Sequence, residues 1–63
     1  MRVGITGGNG FIGTHIRTLL HQQGDSTLVL DHKSGPKPMM LGDVRDPTIV
    51  MEFAAHVDAI IHL

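Results

Sequence analysis

The 63-residue chain contains no cysteine, no tryptophan and no tyrosine, and it has only two phenylalanines. Without cysteine there is no disulfide, no thiolate metal site and no cysteine nucleophile, and with so few aromatics the core must be aliphatic. Net charge is also scarce: five Lys and Arg stand against six Asp and Glu, a formal charge of -1. No basic face is left to steer a polyanion, so neither nucleic acid nor a membrane surface is expected as a partner. No apolar run approaches the roughly 20 residues that a membrane-spanning helix needs. Met1 leads almost at once into an apolar segment, with no room for a signal peptide, and the expected location is cytoplasmic. Length sets a further bound, since a chain of about 60 residues buries only about 60% of the surface its unfolded form exposes. One small, marginally stable domain is expected, with no internal repeat and no low-complexity segment.

What the chain has in quantity is glycine, eight residues in all. They concentrate in Val3-Gly4-Ile5-Thr6-Gly7-Gly8-Asn9-Gly10-Phe11-Ile12-Gly13, which runs from an apolar strand through a turn into an amphipathic helix. Gly7, Gly10 and Gly13 have the spacing that serves a sharp turn, a close backbone approach to a pyrophosphate and close packing of helix on strand. Gly8, Gly10 and Gly13 meet the other common spacing of the dinucleotide fingerprint. A helix starting near Gly10 would aim its free N–H groups and positive dipole end at phosphates, each contact contributing roughly 0.3–1 kcal/mol. No Gly-Lys-Ser/Thr follows, which excludes a P-loop.

Periodicity places the remaining elements. Arg2 to Thr6 is a predicted strand, and from Gly10 to Gln23 the residues Ile12, Ile16, Leu19 and Leu20 recur at helical spacing as one apolar stripe. Gly24 is the expected left-handed residue that stops this helix. Ser26 to Leu30, closed by Asp31, is apolar without alternation, as in a parallel strand buried on both faces. Residues 32–38 are too polar and too rich in Gly and Pro for anything but loop. Parallel crossovers usually need a dozen or more residues, so this short one is expected to be irregular, and Met39-Met40-Leu41 is a short third strand. Asp46-Pro47 signals a helix start, with Asp as cap and Pro at the first helical position. Ile49, Val50, Phe53, Ala54 and Val57 form its expected apolar face, and Ala59 to Leu63 is again a strand of the buried type. The order strand, helix, strand, loop, strand, helix, strand predicts an α/β fold with a doubly wound parallel sheet, order 3-2-1-4. Ligands bind such sheets at the carboxyl ends of the strands beside the topological switch point, where Thr6, Asp31, Asp43 and Leu63 fall.

Thr6-Gly7-Gly8-Asn9-Gly10-Phe11-Ile12-Gly13 resembles the cofactor loop of the extended short-chain dehydrogenase/reductase proteins, the NAD-dependent epimerase/dehydratase group. Val29-Leu30-Asp31 is similar to that group's second strand with its ribose-binding acid, and Gly42-Asp43-Val44-Arg45-Asp46 to its adenine-side segment. Val57-Asp58-Ala59-Ile60-Ile61-His62-Leu63 is similar to its fourth strand. Four blocks in the right order are far more specific than a glycine motif alone. The resemblance implies a partial Rossmann fold: residues 1–63 would be the N-terminal part of an NAD(P)-binding domain, truncated after the fourth strand. It also implies hydride transfer on a nucleotide-sugar substrate in the intact enzyme. The group's Tyr-x-x-x-Lys pair lies downstream of the fourth strand, and this chain has no tyrosine and no lysine after Lys37. No catalytic residue is therefore expected here, and the 63-residue chain alone is expected to bind NAD weakly or not at all.

The cofactor-binding candidates are Gly7, Gly10, Phe11, Ile12, Gly13, Asp31, His32, Asp43, Val44 and Leu63. Phe11 and Ile12 would act through backbone N–H groups, with the Ile12 side chain turned into the core. Asp31 stands near the expected about 20 residues beyond the glycine turn, where a carboxylate accepts the ribose hydroxyls and repels a 2′-phosphate, favouring NAD over NADP. His32 and Lys33 are placed to cradle an extra phosphate, although an exposed polar loop accounts for them as well. Asp43 would accept the adenine amine with Val44 packing nearby; a turn aspartate is the plainer account. Five histidines at 15, 21, 32, 56 and 62 give no i,i+4 pair, so no metal site is expected. His62 is the kind of strand histidine that hydrogen bonds satisfy, and the methionines are core filler or loop residues. Two other outcomes remain open: a non-catalytic nucleotide-binding or redox-sensing module, and a fragment that self-associates, as a homodimer or larger assembly, through the exposed edge of the last strand.

Overall fold

Arg2–Thr6 forms β1 and Phe11–Gln22 forms α1 in the computed structural model, which describes residues 1–63. The chain leaves β1 through Gly7, whose φ of 71° is the left-handed conformation that only glycine adopts without cost. At the other end of α1, Gln23 caps the helix and Gly24, at φ 88°, turns the chain back. β2 is Ser26–Asp31, and residues 32–38 cross to β3, Met39–Leu41, without a helix. α2, Pro47–Ala55, begins as expected: the Asp46 side chain accepts a hydrogen bond from Thr48 N, with proline in the first turn. β4 is Ala59–His62.

All strands are parallel in the order β3-β2-β1-β4. Register aligns Thr6 with Leu30 on one side and with His62 on the other, so the ends of the three strands are level. The two helices cover opposite faces. Val3, Ile5 and Val29 are buried on one face with Ile16, Leu20, Met39 and Ile61 packed against them. Leu28, Leu30 and Phe53 are buried on the other, with Met40, Ile49, Val50 and Val57 around them. The fully buried Phe53 ring occupies the space above Gly4, where an added Cβ would lie 2.6 Å from its Cζ. A residue with a side chain at position 4 would therefore lift α2 off β1.

Three expectations are corrected. The Ile12 side chain is 63% exposed and that of Leu19 58%, so the apolar stripe of α1 divides. Successive residues turn by about 100°, and the face centred on Gly13, Ile16 and Leu20 meets the sheet while Ile12 and Leu19 are carried to the flank. β4 is not a buried strand: Ala59, Ile60 and His62 are exposed, because β4 is the sheet edge and only β1 pairs with it. Ala54 is likewise exposed on α2, one residue round from Phe53. Of the methionines, Met39 and Met40 pack against the core, whereas Met1 and Met51 are exposed.

Candidate functional site

The carboxyl ends of the strands open into a cavity of about 540 Å³. Gly7, Gly10, Asp31 and His32 line it from β1, the glycine turn and β2, and Asp43, Val44 and Leu63 from beyond β3 and β4. Phe11, Ile12 and Gly13 do not line it; Phe11 is 81% exposed and its ring packs edge-on against His15 instead.

The glycines have separate causes. Gly7 makes the turn and its N–H donates to Leu30 O at 2.8 Å, tying the turn to β2. An added Cβ at Gly10 would meet only Gly7 O, at 3.5 Å, so a ligand can approach the backbone there. At Gly13 an added Cβ would lie 2.5 Å from Gly8 Cα, which is what brings α1 against the turn. Gly8, not among the predicted residues, is buried in its turn over Val29, whose Cγ2 would be 2.6 Å from an added Cβ. No side chain caps α1, and its first helical bond runs from Thr14 N to Gly10 O. The N–H groups of Phe11, Ile12 and Gly13 are the first-turn donors that a helix leaves without an internal partner. An uncapped helix start beside an open glycine backbone fits an anion.

Asp31 is 6% exposed. Its Oδ2 accepts from Asn9 N and its Oδ1 from Lys33 N, both at 3.0 Å, and His32 Nδ1 stands 3.3 Å from Oδ1. Burial pushes this carboxyl up, but the N–H groups of Lys33 and Asn9, with His32 beside them, together outweigh it and hold the group below its ordinary value. Asn9 reinforces the join: its Nδ2 donates to Lys33 O at 2.8 Å, and its side chain fills the space that a Cβ on Gly35 would need. Asp43 is held by Arg45, whose guanidinium Nη2 is 2.7 Å from Oδ2 and whose backbone N donates to Oδ1 at 2.8 Å. The Arg45 side chain, then its backbone N–H, lowers the Asp43 pKa to about 2. On the β1–β4 side, Thr6 Oγ1 and His62 Nδ1 are 2.6 Å apart.

The cavity is also lined by Thr6, which the sequence places at the ligand-binding strand ends, by Gly42 and Arg45 of the segment that resembles the adenine side, and by Leu30, Lys33 and His62, none of which was among the cofactor-binding candidates. For His62 there was a signal: a polar residue interrupts an otherwise apolar strand, and parallel register sets it opposite Thr6. Arg45, two residues after an aspartate in a turn, is similarly placed to pair with it.

Residues 3–63 match the family model described as NAD dependent epimerase/dehydratase. The chain belongs to that family. Among solved structures, this family member superimposes on a short-chain dehydrogenase/reductase superfamily protein from Agrobacterium tumefaciens with bound NAD, at a TM-score of 0.87 and 22% identity. It also superimposes on MoeE5 in complex with UDP-glucuronic acid and NAD, at 0.81 and 27%. A third match is UDP-N-acetylglucosamine 4-epimerase from Bacillus cereus, at 0.75 and 23%. These matches cover 98–100% of the chain but only 20–22% of the solved ones, so it spans about a fifth of their length. No curated protein sequence gives a significant match.

Proposed function

We propose that this chain forms the dinucleotide-holding segment of an NAD-dependent epimerase, dehydratase or reductase that acts on a nucleotide sugar. The observation that carries the reading is one cavity joining an uncapped helix start at Gly10 to two carboxylates, Asp31 and Asp43, at the ends of adjacent parallel strands. NAD bound there would supply hydride transfer. The glycine backbone and the first-turn N–H groups of Phe11, Ile12 and Gly13 would hold the diphosphate, which needs no side chain from those residues. An ionised carboxylate offers about four acceptor positions. Asn9 and Lys33 take two on Asp31 and His32 Nδ1 stands 3.3 Å from Oδ1, so the acceptor capacity that remains would serve the ribose hydroxyls. Asp43 and Val44 would face the adenine, with Leu63 closing the β4 side.

The ionised state of Asp31 opposes a 2′-phosphate, so NAD is favoured over NADP, with the Lys33 ammonium as the opposing charge and the His32 ring as a hydrogen-bonding group beside it. Calorimetry on the protein at its full natural length tests both parts. The wild type should bind NAD more tightly than NADP, and Asp31→Ala should weaken NAD more than NADP. Equal loss for the two cofactors would sink the NAD assignment, and absence of binding to either would sink the reading itself.

A second reading, self-association, is favoured by the free β4 edge, where Ile60 and Leu63 are 46% and 48% exposed. Sedimentation of the 63-residue chain would show dimers or larger species if β4 pairs with another copy, and monomers if it does not.

A further inference from the structure

Residues 32–37 carry the chain from β2 to β3 without one backbone–backbone hydrogen bond. A stretch with no ladder of its own takes its shape from the side chains that satisfy it. Lys33 is held at both its N–H and its C=O: the N–H donates to Asp31 Oδ1 at 3.0 Å, and the C=O accepts from Asn9 Nδ2 at 2.8 Å. Asn9 N donates in turn to Asp31 Oδ2 at 3.0 Å, which closes a ring of three hydrogen bonds through Asn9, Asp31 and Lys33.

The Asn9 amide has one orientation in that ring. Turned over, it would set Oδ1 against Lys33 O, acceptor against acceptor. As it stands, Nδ2 reaches both Lys33 O and, at 3.4 Å, Met39 Sδ, while the buried Oδ1 has no partner. Leaving a buried acceptor unpaired is costly, so the position of this side chain is set by what its Nδ2 holds. Gly35 completes the seat. Its φ is not positive, so the backbone does not call for glycine there, yet an added Cβ would lie 2.5 Å from Asn9 Cγ and 2.6 Å from Nδ2. What the glycine leaves room for is the Asn9 amide.

We propose that Asn9 is the positioning residue that sets cofactor selectivity, acting through Asp31 and Lys33. This rests on the proposed dinucleotide reading, in which Asp31 takes the ribose hydroxyls. The Asp31 carboxylate and the Lys33 ammonium, the opposing charges for a 2′-phosphate, both belong to residues of the ring, and both residues line the cavity. With the ring closed, Asp31 keeps one place as a ribose acceptor, and the crossover does not open around an added phosphate. Without the Asn9 amide, Lys33 is held by one of these two hydrogen bonds, the crossover can draw away from Asp31, and the carboxylate can turn. NAD then loses affinity that NADP does not.

The test is calorimetry of NAD and NADP with the protein at its full natural length, as wild type, Asn9→Ala, Gly35→Ala and the double variant. Asn9 does not have a positive φ, so alanine there carries no left-handed strain. Asn9→Ala should lower the ratio of NAD to NADP affinity about tenfold, equivalent to about 1.4 kcal/mol of discrimination. Gly35→Ala, which displaces the amide, should lower it as far, and the double variant no further, because the methyl at 35 then meets no amide. Hydrogen exchange at Lys33 N–H should quicken in Asn9→Ala while the β1 amides keep their rates. Equal loss of NAD and NADP affinity in Asn9→Ala, complete loss included, would leave Asn9 a structural role alone and overturn the inference. So would an unchanged or raised ratio, or a full further loss when Gly35→Ala is added to Asn9→Ala. Each of these leaves the dinucleotide reading standing; a wild type that binds neither NAD nor NADP removes both.

Discussion

At the scale of single residues, glycines that look interchangeable in the sequence carry different costs. Gly24 has nothing within 4 Å of an added Cβ, only a φ of 88°, so Gly24→Ala should cost about 1–2 kcal/mol through left-handed strain alone. Gly13→Ala would push a methyl to 2.5 Å from the Gly8 backbone. Backbone cannot swing aside as a side chain can, and the cost belongs at the upper end of the about 1–3 kcal/mol of overpacking or beyond it. Against about 3–9 kcal/mol for a chain of this length, that is a large share. Urea unfolding of the two variants should rank them in this order. Asp43 offers a charge test. Its folded pKa of about 2 lies below the unfolded value, so the stability it contributes is present above about 3.9 and is lost as pH falls toward about 2. In Arg45→Ala the Asp43 carboxyl should titrate in the ordinary range, as followed by carbon-detected NMR, and added salt should shrink the difference between the two proteins.

Among the elements, α2 is the one whose start and packing are both explicit in its residues. Asp46→Ala removes the hydrogen bond to Thr48 N and should cost about 1 kcal/mol, while Phe53→Ala empties the centre of one face and should cost about 3–5 kcal/mol. Thermal unfolding should show the second change as much the larger. Asp46-Pro47, Gly24 and the unbroken apolar run of β2 made the elements legible because each is a local rule that tertiary contacts had no reason to override. The face of α1 was less so. Ile12, Ile16, Leu19 and Leu20 share a periodicity, but which part of that arc meets the sheet is decided by how closely Gly13 settles on Gly8, a contact between residues whose identity says nothing about direction. The lining of the cavity divides in the same way: Gly7 and Asp31 announce themselves by spacing, whereas Arg45 and His62 depend on turn geometry and strand register.

For the molecule as a whole, the sheet has two unlike edges. β3 is three residues long, and β4 leaves Ile60 exposed beside a strand that only β1 pairs. Ile60→Lys should reduce any self-association seen by sedimentation velocity, since a charged edge residue opposes pairing, while leaving the monomer folded. Asp31 has a broader effect than either edge. One carboxylate joins the glycine turn, through Asn9 N, to the β2–β3 crossover, through Lys33 N. Its folded pKa is lowered, so the join holds above about 3.9 and fails as pH falls through the folded value. The amide protons of Asn9 and Lys33 should therefore exchange with solvent in a single opening event, slowly near neutrality and faster together once acid protonates Asp31. Such concerted exchange would make two segments separated by a helix and a strand behave kinetically as one hinge.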